Sequence, residues 1–230
     1  MTNIKALTEL TKYCTENNVD LVAVSKTKSV GDILTAYNHG PKAFGENKVQ
    51  ELVSKYEALP KDIQWHMIGN LQSNKVKYIA PFVHLIHSVD SLKLALEINK
   101  QAEKNNRVID VLLEVHIAAE TNKIGFSEEE LMALLEINAF DALKNINIIG
   151  VMGMATYTQS KVLIKNEFNH LKYIFDELKA NYFTNDDFKI ISMGMSGDYE
   201  IAVACGSNMI RIGSTIFGER ERKKNSSVPI

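Results

Sequence analysis

Apolar positions along this chain fall into short, nearly unbroken runs separated by longer stretches with helical spacing. Eight such runs occur, at 21–25, 42–44, 63–68, 82–87, 108–115, 146–152, 188–192 and 209–212. Continuous apolarity, as opposed to strict alternation, marks strands covered on both faces, as in a parallel sheet. The stretches between them carry helix punctuation. Ser29 with Asp32 and Ser127 with Glu130 are spaced as capping boxes, Ser91 precedes Leu92, Ala95 and Leu96, and a helix over 199–205 closes at Gly206. A further helix over 4–13 stands in front of the first strand.

Strand and helix therefore alternate from about residue 20 to residue 218. Eight strand–helix units in about 200–250 residues predict an α/β fold of the (β/α)8 TIM-barrel type. A doubly wound open sheet is the rival architecture. Its usual glycine-rich fingerprint is missing from the first strand–helix turn, SKTKSVGD. Residues 1–220 read as one barrel domain and residues 221–230 as a basic, then polar, C-terminal tail, a solvated end by default.

Composition narrows the class without naming a chemistry. The 230 residues are 45% hydrophobic and 23% charged, with a net charge of −2 that gives no basic footprint for nucleic acid. Cys14 and Cys205 form no CxxC pair, and no apolar stretch is long enough for a leader or a membrane span. The expectation is a reduced, cytoplasmic, globular protein with no membrane or nucleic-acid partner. No second His or Cys stands at ligand spacing from His66, so no metal site is expected.

In a barrel, functional groups gather where strands end. The first strand runs straight into Lys26, with Lys28 two residues on. A desolvated lysine beside a second cation loses its proton more readily and becomes a carbonyl nucleophile; otherwise it snorkels to solvent. After the second strand comes Phe44-Gly45-Glu46-Asn47, an ordinary turn or one that aims Asn47 into the mouth. His66 lies mid-strand among apolar residues, as a core histidine or a functional one. The last two strands end in ISMGMSGD and IRIGST, each opening a helix with small residues. Such turns offer backbone N–H groups to an anion, and barrels frequently build phosphate sites after strands seven and eight. Two capped helix starts are the plain alternative. Arg211 precedes the second of these turns and, by strand alternation, points inward, toward a ligand or toward a carboxylate such as Glu46 or Glu114. An amine, an anion cradle and a guanidinium together would accommodate pyridoxal 5′-phosphate (PLP), which carries an aldehyde, a phosphate and a ring nitrogen.

The motifs VSKTK at 24–28, FGEN at 44–47, VQEL at 49–52, WHMIGNLQSNK at 65–75, HSVDS at 87–91, SMGMS-x-D at 192–198 and RIGSTIFGER at 211–220 occur in order. Over about residues 1–220 the chain resembles the pyridoxal-phosphate homeostasis protein family, single-barrel relatives of alanine racemase. The resemblance implies a fold-type III PLP barrel with no C-terminal β-domain. Lys26 would form the aldimine, Ser196, Gly213 and Ser214 would hold the phosphate, and Arg211 would approach the pyridine nitrogen. Asn47 and His66 would line the same pocket, and Lys123 would stand near its mouth. His116 and Ala119 depart from the family pattern, which usually has Asn and Gly there.

The resemblance further implies a protein that holds PLP as a labile lysine aldimine and passes it to apo-enzymes, more simply as a monomer than as a dimer. No robust turnover is expected. A guanidinium beside the ring nitrogen disfavours its protonation, which weakens the ring as an electron sink. Racemases of the related fold add a second acid/base residue through an extra β-domain, for which the chain has no room. A racemase-like PLP enzyme and a Schiff-base aldolase remain the competing readings. Incubation with single L-amino acids would separate the racemase from the carrier, and the visible, borohydride-bleached colour of bound PLP would separate the aldolase. Lys26→Ala should abolish the aldimine band, and Arg211→Glu should alter the spectrum.

Overall fold

In the computed structural model, which describes residues 2–119 and 124–219, the eight apolar runs become eight parallel strands. They are β1 (Asp20–Val24), β2 (Ala43–Glu46), β3 (Gln64–Met67), β4 (Leu85–Val89), β5 (Ile109–Glu114), β6 (Ile146–Met152), β7 (Ile190–Ser192) and β8 (Met209–Ile212). Each pairs with the next, and β8 pairs back onto β1 with Arg211 opposite Val22, so the sheet is a closed barrel. The open-sheet alternative is thereby excluded.

The helices are α1 (Ile4–Asn17), α2 (Val30–Tyr37), α3 (Val49–Ala58), α4 (Val76–Ile79), α5 (Leu92–Lys104), α6 (Glu128–Glu136), α7 (Lys161–Asn181), α8 (Tyr199–Ala204) and α9 (Ser214–Phe217). Their starts follow the local signals: Ser29, Ser91 and Ser127 each accept a hydrogen bond from the backbone N–H three residues on. The extra first helix packs against α9 and is tied to it by a bond from Asn3 N to Ile216 O of 2.7 Å. The N-cap of α3 is Lys48, which makes no side-chain capping bond, whereas α7 starts at Ser160, whose Oγ accepts from Leu163 N at 3.3 Å. After β3 the helical layer thins to a 3-10 turn at Ser73–Lys75 and the single turn of α4. Among the described residues, no helix is long and apolar enough to cross a membrane.

Two apolar layers follow from the strand period of two. Outward residues such as Phe44, Trp65, Met67, Ile210 and Ile212 pack under the helices in the main core. Inward residues Val22, Leu85, Leu112, Met152, Ile190 and Met209 form a smaller cluster inside the barrel. The alternation places Arg211 on the inward face with Met209, Ser192 with Ile190, and His87 with Leu85. His66, between outward Trp65 and Met67, is inward too.

Candidate functional site

At the C-terminal end of the strands, where β1 stops and its turn begins, a cavity of about 320 Å³ opens. Lys26, Asn47, Ser196, Arg211, Gly213 and Ser214 all line it, together with Lys28 and Asp198. Six of the seven residues singled out in the sequence thus converge from β1, β2, β7 and β8 on one hollow. Its size sits at the small end of small-molecule pockets.

The cradle after β7 and β8 is one structure, not two. Gly213 N donates to Ser196 Oγ at 3.3 Å, joining the turn before α8 to the turn before α9. A Cβ at Gly213 would meet the Cβ and carbonyl oxygen of Val24 at 3.3 Å each, so a bare backbone is what lets β8 run close to β1 here. Gly194 makes the exit from β7 possible with φ +100, and a side chain there would strike Ala202. Asp198 accepts a bond from Met195 N at 2.6 Å, and burial raises its carboxyl above the usual range.

Arg211 is almost fully buried and held from two neighbouring elements. Its Nη1 donates to Ser192 O and Ser192 Oγ at 2.8 and 2.7 Å, and its Nη2 donates to Gly153 O at 3.1 Å. Burial pulls the guanidinium down to about 10, opposed by the fields of Glu114 and Asp198, which leaves it protonated at neutral pH. Glu46, offered above as a possible partner, faces the other way, since it is bonded to Lys55 on the outside of the sheet. Glu114 acts through its field; burial pushes its own carboxyl up to about 7.

His66 does not line the mouth. It lies deeper in the barrel, beside a second hollow at the opposite end that also takes in Gln64, His84 and Asp110. The physical reason is strand depth: β3 carries His66 in its middle, and Ile68, two residues further along the same face, is what reaches the cavity. His66 is joined to the site only through a chain. Its Nδ1 lies 2.9 Å from His87 Nε2, and His87 Nδ1 lies 3.0 Å from Ser192 Oγ. A guanidinium can only donate, so Ser192 Oγ accepts from Arg211 and sends its own proton to His87 Nδ1. His87 then donates from Nε2 to His66 Nδ1, and the chain ends on His66 Nε2, buried and without a partner among the described residues.

Lys28 lines the same cavity as Lys26 and is anchored at its far side. Its Nζ donates to Phe217 O at 2.7 Å and Gly218 O at 3.2 Å, so it closes the end of α9. Met154 and Tyr157 line the cavity without any motif to announce them, and Met195, within the 192–198 motif, lines it too. On the rim after β5, Ala119 N donates to Thr156 Oγ1 and Glu167 Oε1, and His116 N donates to Phe126 O. Lys123, Arg220 and the tail at 221–230 lie outside the described residues. Among those described, no group of three or more His, Cys, Asp or Glu is arranged to hold a metal ion.

A closed parallel barrel that brings a lysine from β1 to a cradle after β7 and β8 defines a class, the barrel of the alanine racemase N-terminal domain, and that family's model matches residues 2–221. The chain belongs within it to the pyridoxal phosphate homeostasis proteins. It is 44% identical over 207 residues to the pyridoxal phosphate homeostasis protein of Aquifex aeolicus, covering 90% of this chain and 89% of that one. Among solved structures it is similar to PipY of Synechococcus elongatus without PLP, with a TM-score of 0.87 and 33% identity over 94% of this chain and 99% of that one. PipY with PLP bound matches with a TM-score of 0.82 and 31% identity, over 93% of this chain and 100% of that one.

Proposed function

We propose that this chain binds PLP in the mouth cavity, keeps it attached through Lys26, and hands it on to apo-enzymes without sustained turnover of its own. The observation that carries this reading is the convergence of Lys26, Asn47, Ser196, Arg211, Gly213 and Ser214 on one hollow. The residues also fit the group individually. Asn47 Oδ1 is buried in the mouth with no hydrogen-bond partner among the described residues, and Ser196 and Ser214 line the same hollow beside Gly213. When bound, PLP supplies an aldehyde that a neutral amine attacks.

Each side chain has a distinct task in this reading. Ser196, Gly213 and Ser214 offer hydroxyl and backbone donors to the phosphate. Asn47 orients the ring, and Lys26 provides the nucleophilic nitrogen. Arg211 stays charged at neutral pH and disfavours a second positive charge on a ring nitrogen beside it, which restrains carbanion chemistry. Likeness to the named homeostasis proteins and to the PLP-bound PipY structure supports the binding role, and the arginine supports the restraint.

The test is direct. Purified protein mixed with PLP should gain a visible absorbance band that borohydride bleaches, and peptide mapping should find the reduced label on Lys26. Protein that stays colourless and unlabelled ends the proposal. Incubation with single L-amino acids should leave their chirality unchanged; sustained racemisation would make the chain an enzyme instead of a carrier.

A further inference from the structure

The turn that presents Lys26 is held from outside the barrel by charges that never touch the cavity. Lys55 on α3 is buried, and its Nζ donates to Glu46 Oε1, Glu51 Oε1 and Ser25 O at 2.7, 2.7 and 2.8 Å. Ser25 Oγ donates to Glu46 Oε1 at 2.5 Å. On the other side of Lys26, Thr27 N donates to Glu51 Oε1 at 2.5 Å. Both peptide neighbours of the lysine are therefore tied to one carboxylate–ammonium cluster spanning β2 and α3.

Thr27 itself is out of its preferred conformation. Its φ is +67, in the left-handed region that a β-branched residue rarely adopts. Such strain persists only where surrounding contacts over-determine it, and it tends to gather at working sites. Here the restraint is identifiable: Glu51 takes the Thr27 N–H, while Lys55 holds the same Glu51 oxygen one helical turn further along α3. Neither Glu51, Lys55 nor Glu46 lines the cavity.

Resting on the PLP-binding reading above, we propose that Glu51 is a positioning residue for Lys26. By keeping Thr27 left-handed, it aims the lysine side chain at the place where an aldehyde carbon arrives. The step it serves is a condensation. The Nζ lone pair adds to the carbonyl carbon, a C=N bond replaces C=O, and the oxygen leaves as water with the two amine hydrogens. No redox partner is needed. Attack of this kind is steeply sensitive to alignment, so loosening the turn should slow attachment without weakening the grip on phosphate and ring.

The experiment compares two ligands on full-length protein. PLP reports attachment through the rate of its absorbance change and of borohydride-trapped mass, while pyridoxine 5′-phosphate, which lacks the aldehyde, reports non-covalent binding. Glu51→Ala should attach PLP about 10-fold more slowly and bind the analogue within about twofold of wild type. Thr27→Gly, which adopts positive φ without steric cost, should recover much of the rate in the Glu51→Ala background. Should Glu51→Ala melt too easily to assay, Glu51→Gln keeps an acceptor oxygen without the charge and should attach PLP about threefold more slowly. Wild-type rates in either variant, parallel loss of both ligands, or no recovery with Thr27→Gly would each overturn the assignment. Wild-type protein that takes no label on Lys26 would instead remove the binding proposal beneath it.

Discussion

Arg211 and Ser192 are joined twice, since the same guanidinium nitrogen donates to both the carbonyl and the hydroxyl of the serine on the neighbouring strand. That pair is where the mouth of the barrel meets its interior. Above it the guanidinium lines the cavity; below it the hydroxyl passes its proton into a line of two histidines.

Ser192→Ala should therefore cost more than a surface serine. It removes one acceptor from a buried charge and leaves His87 Nδ1 without its donor, a loss of about 1–3 kcal/mol. Urea denaturation of the ligand-free protein measures it, and a change inside about 0.5 kcal/mol would show that the chain does not bear on stability.

The histidine line also makes the barrel sensitive to acid. Burial, with His84 nearby, lowers His66 from 6.5 to about 3. A depressed histidine contributes stability that is complete above the unfolded value and is lost as pH falls toward the folded one. Between pH 6.5 and about 3 this group alone should withdraw up to about 1.4 kcal/mol per pH unit. His66→Gln should flatten the dependence of unfolding free energy on pH between 6.5 and 4; an unchanged slope would place the acid sensitivity elsewhere.

Glu114 works in the opposite sense. Its carboxyl rises from 4.5 to about 7 because it is buried, with Arg211 pulling the other way. A raised carboxylate stabilises most below the unfolded value, and that contribution disappears as pH climbs through 7. Glu114→Gln should melt close to wild type at pH 5 and above it at pH 8, by roughly 2–3 kcal/mol at most. Thermal melts at the two pH values check the crossover.

Gly213→Ala tests the cradle without touching a charge. The added methyl group meets Val24 at 3.3 Å, tight enough to shift β8 and the backbone of the turn after it relative to β1. Binding of pyridoxine 5′-phosphate should weaken by about 10-fold, while φ at this position, −119, gives no backbone reason for unfolding. Calorimetric titration gives the affinity, and unaltered binding would move the phosphate elsewhere.

Lys26→Ala separates attachment from binding. The variant should keep its melting temperature, retain pyridoxine 5′-phosphate and lose the borohydride-trapped mass. A trapped adduct that survives in the variant would assign the nucleophile to another amine.

Much of this architecture is legible locally. Nearly unbroken apolar runs announce strands buried on both faces, and serines three residues ahead of their N–H partners announce helix starts, because both signals depend on neighbours within one turn or one pleat. Lys26, Gly213 and Ser214 are equally readable, since a strand end in a barrel fixes where its next residues emerge. His66 was not, because the sequence shows which face of β3 it occupies and not how deep along the tilted strand it sits. Glu46, named beside Glu114 as one carboxylate Arg211 could meet, instead shares the outward face of β2 with Phe44 and pairs with Lys55 there, a choice of face that the short run of β2 does not reveal.

The chain's own order of residues thus determined an alternation of strands and helices, a lysine at the end of the first strand and small residues at the ends of the last two. Only the tertiary structure decided that Arg211 leans on Ser192, that Glu51 holds the turn beside Lys26, and that Lys28 closes α9. Those pairings join residues 19, 24 and 189 positions apart. Their geometry is set by barrel closure and strand register, which no short window of sequence contains.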